Sequence, residues 1–446
     1  MSHRNITPFS CGMHYELSQH PSRQRLNDEV HTRPPIPLEA PALISFIACT
    51  RDTHELAEER SHLGALYERL GLPVEPSAEA AHLIIDCGSF KLKWELHGEF
   101  STYTFFSKPN KPPRSGETAL DVVPAEWLQG IPGQVISASH LELLVNGSPN
   151  PTEIIWNLSS NAEANDTQIV SQIAGQAAWL FTDFRIHDGF SKFTVIDESM
   201  GKLRTGRIIQ RLLEIETYRI MALLAFPVAK SVGKLLNRAE ANLAELIDRM
   251  VSAANPVDER AVLADLTRLA AEIEHSVAST TFRFGAAAAY YRLVQQRIGE
   301  LKETRVSGYP TIKGFMERRL APALNTCAAI ARRQEELSAR IARTSQLLRT
   351  RVDMELERQN QELLSQMNRR AKLQLRLQET VEGLSVVVLT YYGSQLVQYL
   401  AKGTKELHHL NTDVITAISI PVIAGLLAWG TRKMHKKLAA EEGEAH

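Results

Sequence analysis

Apolar positions along the chain change period several times, and the changes mark its elements. Residues 42–49 form a compact apolar run between prolines and charged residues, which suits a buried strand. Residues 53–70 then carry Leu56, Leu63, Leu66, Tyr67 and Leu70 at helical spacing, and Gly71 stops the helix. From 90 to 106 the period falls to two. Phe90, Leu92, Trp94 and Leu96 share one face, and Lys91, Lys93, Glu95 and His97 the other; the run breaks at Gly98 and resumes through Tyr103 and Phe105, predicting an antiparallel hairpin. Further strands are predicted at 135–145, 169–173, 177–186 and 190–196, with His187-Asp188-Gly189 turning between the last two. The proline-rich stretches 109–113 and 149–151 read as surface connections. Residues 1–200 are therefore expected to form an α+β N-terminal domain.

Beyond Gly201 the pattern becomes helical. Ile208, Ile209, Leu212, Leu213, Ile215, Ile220, Leu223 and Leu224 recur until Pro227, a second helix runs through Leu235, Leu243 and Met250, and a third covers 257–301. The apolar run 220–226 is too short to span a bilayer and follows Arg219, so it is expected to be a core helix. Between Pro322 and Gly383 no proline or glycine occurs, and at ~1.5 Å per residue 323–382 could form one helix of about 90 Å. Leu337, Ile341, Leu348, Val352, Leu356, Leu363, Met367, Leu377 and Val381 follow a rough three-four spacing, with Gln359 and Arg370 interrupting the seam. Such a stripe needs partners, either residues 201–301 of the same chain or further copies. The 201–382 region is thus expected to be a long-helix stalk.

Two charge-free segments follow, 383–401 and 414–430, joined by a short linker. They reach about 28 and 25 Å against a hydrocarbon core of roughly 30 Å, and predict a C-terminal two-helix transmembrane hairpin over 383–430 with a tail at 431–446. Arg369, Arg370, Lys372 and Arg376 precede the first segment, and Arg432, Lys433, Lys436 and Lys437 follow the second. The linker holds only Lys402 and Lys405, so the excess of basic residues at the outer ends places both termini in the cytoplasm, at a bacterial inner membrane. Thr390, Ser394 and Gln398, with Gln395 beside them, share one face of the first segment, which either glues neighbouring helices or lines water. Ala417, Pro421, Ala424 and Ala428 give the second a small-residue face.

Composition refines this picture. The chain has 446 residues, 50 Lys+Arg against 51 Asp+Glu, and 44% hydrophobic residues. This excludes a disordered tail, a disulfide miniprotein and a collagen-like fibre, and argues against a nucleic-acid coat. From residue 323 onward there are 17 Lys+Arg and 13 Asp+Glu, so the neutral total joins an acidic body to a basic end. Cys11, Cys49, Cys87 and Cys327 are scattered, with no zinc spacing, and predict reduced thiols. Residues 1–12 lack the apolar core of a signal peptide.

Candidate chemistry is sparse. The densest polar cluster, residues 27–35, brings together Asp28, Glu29, His31 and Arg33, groups that a general acid/base or anion site would use, although Pro34-Pro35 marks a loop. Asp183, Arg185, His187 and Asp188 are explained by a strand end and its turn, and His408-His409 is a weak metal pair. No phosphate-cradling loop, His-Glu-x-x-His or Gly-x-Ser-x-Gly occurs, and no cofactor is implied.

Three stretches carry a resemblance. Leu26-Asn27-Asp28-Glu29-Val30-His31-Thr32-Arg33-Pro34, Leu212-Leu213-Glu214-Ile215-Glu216-Thr217-Tyr218-Arg219, and Leu347 to Asp353 running on to Thr380-Val381-Glu382-Gly383-Leu384-Ser385 resemble a bacterial domain-of-unknown-function family described only as membrane-anchored. The resemblance implies a membrane location and no known reaction, substrate or cofactor. A looser likeness is to the layout of CorA-type magnesium channels, but their Gly-Met-Asn motif is absent; Tyr392-Gly393-Ser394 and Ala401-Lys402-Gly403 stand near its place. The leading expectation is an anchored, oligomeric, non-enzymatic scaffold bound to the lipid bilayer. An ion channel and a tethered enzyme using Asp28, His31 and Arg33 are the alternatives.

Overall fold

The computed structural model describes residues 18–24, 26–27, 34–51, 55–71, 80–109, 116–147, 151–154, 168–253, 255–403 and 412–443. Among these, nine strands form one sheet: β1 (Ala42–Thr50), β2 (His82–Asp86), β3 (Phe90–Leu96), β4 (Phe100–Ser107), β5 (Gln134–Val145), β6 (Ile169–Ile173), β7 (Ala178–His187), β8 (Phe190–Asp197) and β9 (Thr304–Arg305). The helices are α1 (Glu55–Leu70), α2 (Ala125–Gln129), α3 (Lys202–Leu223), α4 (Ala225–Ser252), α5 (Pro256–Leu301), α6 (Ile312–Arg319), α7 (Ala321–Gly403) and α8 (Thr412–Gly443). The expected α+β domain followed by long helices is what the chain forms. It divides into two compact units, residues 1–248 with 265–343, and residues 249–264 with 344–446.

The sheet order is β2-β3-β4-β1-β5-β8-β7-β6-β9. All pairings are antiparallel except β5 with β8. The β3–β4 hairpin sets Leu92 opposite Phe105 and Trp94 opposite Tyr103. These four rings and chains, with Leu43, Ile47 and Cys49 of β1, pack against Leu63 and Leu66 of α1 and Trp127 of α2. The Trp127 indole N–H donates to the His62 carbonyl at 2.8 Å, and the two rings stack at 4.5 Å. Alternation therefore decides one face: Phe90, Leu92 and Trp94 of β3 and Tyr103 and Phe105 of β4 are buried beneath α1 and α2, with Ser101 and Ser107 closing the β4 series at its ends. The β7–β8 turn falls where expected, with Asp188 at φ +53° and Gly189 at φ +88°, the paired left-handed conformations of a tight hairpin turn.

The other face of the sheet is covered by α3. Ile208, Ile209, Leu212, Leu213 and Ile215 of this helix are buried, as a 3.6-residue stripe on a domain core should be. The backbone at 36–38 crosses α3 so closely that a Cβ on Gly206 would stand 2.0 Å from the Ile36 carbonyl oxygen. Only glycine allows that approach.

The 83-residue α7 extends the predicted 323–382 helix at both ends and runs into the first apolar segment. In the first unit Leu324, Cys327, Leu337 and Ile341 are buried, and Leu348 is buried in the second. Beyond it the stripe is bare: Leu356, Leu363, Met367, Leu377 and Val381 are exposed. In the second unit α7 meets α8, where a Cβ on Gly393 would stand 3.2 Å from the Ile423 side chain.

By length and composition two described stretches could cross a membrane, 202–252 and 413–433. The first belongs to α3 and α4, whose apolar faces are buried in the first unit, as expected for core helices. The second is apolar, with a mean hydropathy of 1.9, and unburied. Segment 383–401 falls short as a span because Thr390, Ser394, Gln395 and Gln398 dilute its apolar residues. The two-helix hairpin is thus present as a pair of touching helices, with only the second apolar enough to qualify.

Candidate functional site

A cavity of about 270 Å³ lies between α3 and the sheet face opposite α1. The same alternation that turns Leu92 and Trp94 toward α1 turns Lys93 and Glu95 into this space. Their neighbours across the β3–β4 ladder are Thr104 and Thr102 respectively, so four polar residues form a square on the floor. Lys93 Nζ pairs with Glu95 Oε1 at 3.0 Å, with side chains 4% and 11% exposed. Thr102 is 3% exposed, and its hydroxyl has no hydrogen-bond partner among the described residues. A buried orphan hydroxyl costs about 1–3 kcal/mol.

The roof comes from α3. Gln210, Glu214, Thr217 and Tyr218 recur at three-four spacing on its cavity side. Gln210 donates to Glu214 Oε1 at 2.8 Å, and Arg297 of α5 donates to Glu214 Oε2. Arg297 also bonds Glu300, which receives Arg211 at 2.7 Å. The paired carboxylates hold the Arg297 guanidinium charge more firmly, raising its pKa against the opposing effect of burial. Phe46 and Phe106 form apolar walls. Near the cavity Phe100 stacks on His97 at 4.5 Å and meets Tyr218 edge-on at 6.5 Å, while Tyr290 stacks on Tyr218 and donates to Glu99 at 2.8 Å. Glu99 also takes Arg283.

The motif 212–219 is thereby explained residue by residue. Leu213, Glu214, Thr217 and Tyr218 line the cavity. Glu216 and Arg219 turn elsewhere and pair at 2.6 Å, with the guanidinium 4.9 Å from the Phe184 ring centre. A family model for a protein of unknown function (DUF3422) matches residues 18–438. The chain belongs to the DUF3422 family. No curated protein matches it, and no solved structure does. DUF3422 membership carries no reaction, and the comparisons add nothing to the looser CorA likeness.

Asp28, Glu29, His31 and Arg33, and the pair His408-His409, lie outside the described residues of this DUF3422 chain. Thr390 and Ser394 are buried. Their hydroxyls donate to the carbonyls of Val386 and Tyr391 within the same helix, at 2.6 and 2.8 Å. Gln395 and Gln398 are half-buried. Arg369, Arg370, Lys372, Arg376, Arg432 and Lys433 are exposed, and Lys433 sits 4.8 Å from the Trp429 ring. Lys436 and Lys437 lie on α8, their side chains outside the described set. His187 bonds Asp183 at 2.8 Å beside its turn.

One further pair has catalytic residue types. Ser45 Oγ lies 2.8 Å from His140 Nδ1, and burial, aided by the Lys192 charge, pushes His140 down to about 4. Ser45 is fully buried and His140 is stacked on Phe190 at 3.9 Å, so no substrate carbonyl could reach that hydroxyl and the pair packs the sheet. Among the described residues no group of three or more His, Cys, Asp and Glu could hold a metal.

Sequence reasoning missed the cavity because Lys91, Lys93, Glu95 and His97 alternate as a solvated strand face would. The available signal was on α3: Gln210, Glu214 and Thr217 fall inside its apolar stripe, where a helix covering a sheet is ordinarily apolar.

Proposed function

We propose that the protein is a membrane-anchored scaffold that self-associates through α7 and holds its first unit on the cytoplasmic side. The observation that carries this reading is the bare apolar surface of the second unit. On α8, Val414, Ile418, Val422, Leu426 and Trp429 are all exposed within a stretch long enough for a bilayer. Trp429 with Lys433 at its ring is the pairing expected at a membrane interface. On α7, Leu356, Leu363, Leu377 and Leu384 fall seven apart, with Arg370 in the series, and Met367, Val381 and Val388 follow four residues after members of it. That is a coiled-coil seam, and a second copy is its natural cover. Burying each such leucine would contribute about 1.5–3 kcal/mol before ordering costs.

The basic residues 369–376 and 432–437 support an anionic membrane surface on the cytoplasmic side of both helix ends. The hydroxyls of Thr390 and Ser394 are spent on their own backbone and face a packed contact, which favours helix glue over a water-lined pore.

Introducing Val422→Arg and Leu426→Arg together into the full chain tests the anchor, since each arginine costs about 2.5–3.5 kcal/mol at mid-membrane. The variant is expected in the soluble fraction after alkaline washing of membranes, and the parent in the pellet. A variant that stays in the pellet overturns the α8 anchor.

A further inference from the structure

The polar square of Lys93, Glu95, Thr102 and Thr104 sits where a sheet face under an amphipathic helix is ordinarily apolar. Stability does not account for it. A dry ion pair is generally no better than apolar side chains of the same size, and the buried Thr102 hydroxyl makes no bond to any described residue. Departures of this kind from packing rules concentrate where a chain binds something. We propose that the cavity binds a small, net-neutral polyhydroxylated molecule, whose hydroxyl groups are read by Lys93, Glu95 and Thr102.

Charge selects the class. Among the described residues, the charged side chains lining the cavity are Lys93 and Arg297 against Glu95 and Glu214, and both cations are already paired with those anions. A carboxylate, phosphate or amine would bring a charge with no counter-charge into a buried space, which is costly. A neutral hydroxyl donates one hydrogen bond and accepts others. Two adjacent hydroxyls can therefore accept from the remaining Lys93 N–H groups, donate to Glu95 and take up the orphan Thr102 hydroxyl without changing the charge balance. Phe46, Phe100 and Phe106 supply apolar surface for the C–H side of such a molecule. The volume of about 270 Å³ lies just under the usual ligand-pocket range, which suits one hydroxylated ring with small substituents.

The site lies wholly in the first unit, so the proposal stands apart from the anchor and self-association. Purified full-length protein is dialysed to equilibrium against three defined equimolar mixtures: monosaccharides, polyols and nucleosides; carboxylates and phosphate esters; and primary amines. Mass spectrometry reads the enrichment. At least tenfold enrichment of a member of the first mixture is expected, with none from the other two, and it falls at least tenfold in Lys93→Met and in Thr102→Val. Thr102→Val keeps the side-chain shape and removes only the orphan hydroxyl, so its melting temperature stays equal or rises, whereas a structural hydroxyl would lower it. If Lys93→Met fails to fold, Thr102→Val decides alone. No enrichment from the neutral mixture, enrichment from a charged one, or undiminished capture by Thr102→Val overturns the proposal.

Discussion

The first unit and the second unit use similar apolar content in opposite ways. In the first, Trp94, Tyr103, Phe105 and Leu92 on one side of the sheet, and Ile208, Leu212 and Ile215 of α3, are buried. In the second, Leu363, Met367, Leu377, Val388, Leu396, Val422 and Leu426 are exposed. A single α7 carries both behaviours, with Ile341 fully buried and Leu363 58% exposed. An isolated apolar residue on a surface needs no explanation, but a run of them along two consecutive helices does. The first unit supplies its own core; under the function proposed above, the second obtains one from lipid and from another copy.

The largest effect that separates the two should come from Trp94→Ala. Removing a fully buried indole costs about 3–5 kcal/mol, read as a loss of urea resistance by circular dichroism, with self-association unchanged. If association falls along with stability, the two units do not work independently.

Acidification is the next probe, and it acts on the first unit. His140 has its folded pKa lowered from 6.5 to about 4 by burial. Between those values the unfolded chain binds the extra proton, so stability is complete above about pH 6.5 and declines as pH falls toward 4. Allowing for partial exposure, the loss is about 1–2 kcal/mol. A His140→Gln variant should flatten that part of the pH–stability profile; an unchanged slope would remove His140 as its cause.

The smallest effect belongs to the second unit. Leu363→Ala should change unfolding of the first unit by less than about 0.5 kcal/mol, as surface substitutions do. A larger loss would mean that Leu363 already has an intrachain partner.

Much of the fold was legible in the residues. The runs at 42–49, 90–106, 135–145, 169–173, 177–186 and 190–196 all became strands within a residue or two, because alternation or compact apolarity between turn signals is a local property. The strand at His82–Asp86 has three consecutive apolar residues and no alternation, Thr304–Arg305 is two residues long, and α2 and α6 are short; the two strands depend on their partners, the neighbouring β3 for the first and the distant β6 for the second. The candidate site was less legible for the same reason. Lys93 and Glu95 read as a wet face until pairing with β4 and coverage by α3 enclose them. Charge-free length flagged 383–401, yet its amides and hydroxyls leave it less apolar than a span, and the Gly393–Ile423 contact between helices could not be read from spacing alone.

The most direct test of the central claim is the mass of the detergent-purified full chain by light scattering, beside the variant carrying Leu356→Ser, Leu363→Ser and Leu377→Ser. A complex of two or more copies is expected, falling to a monomer in the variant while circular dichroism of the first unit is retained. A monomeric parent, or a complex whose mass the triple substitution leaves unchanged, would contradict it.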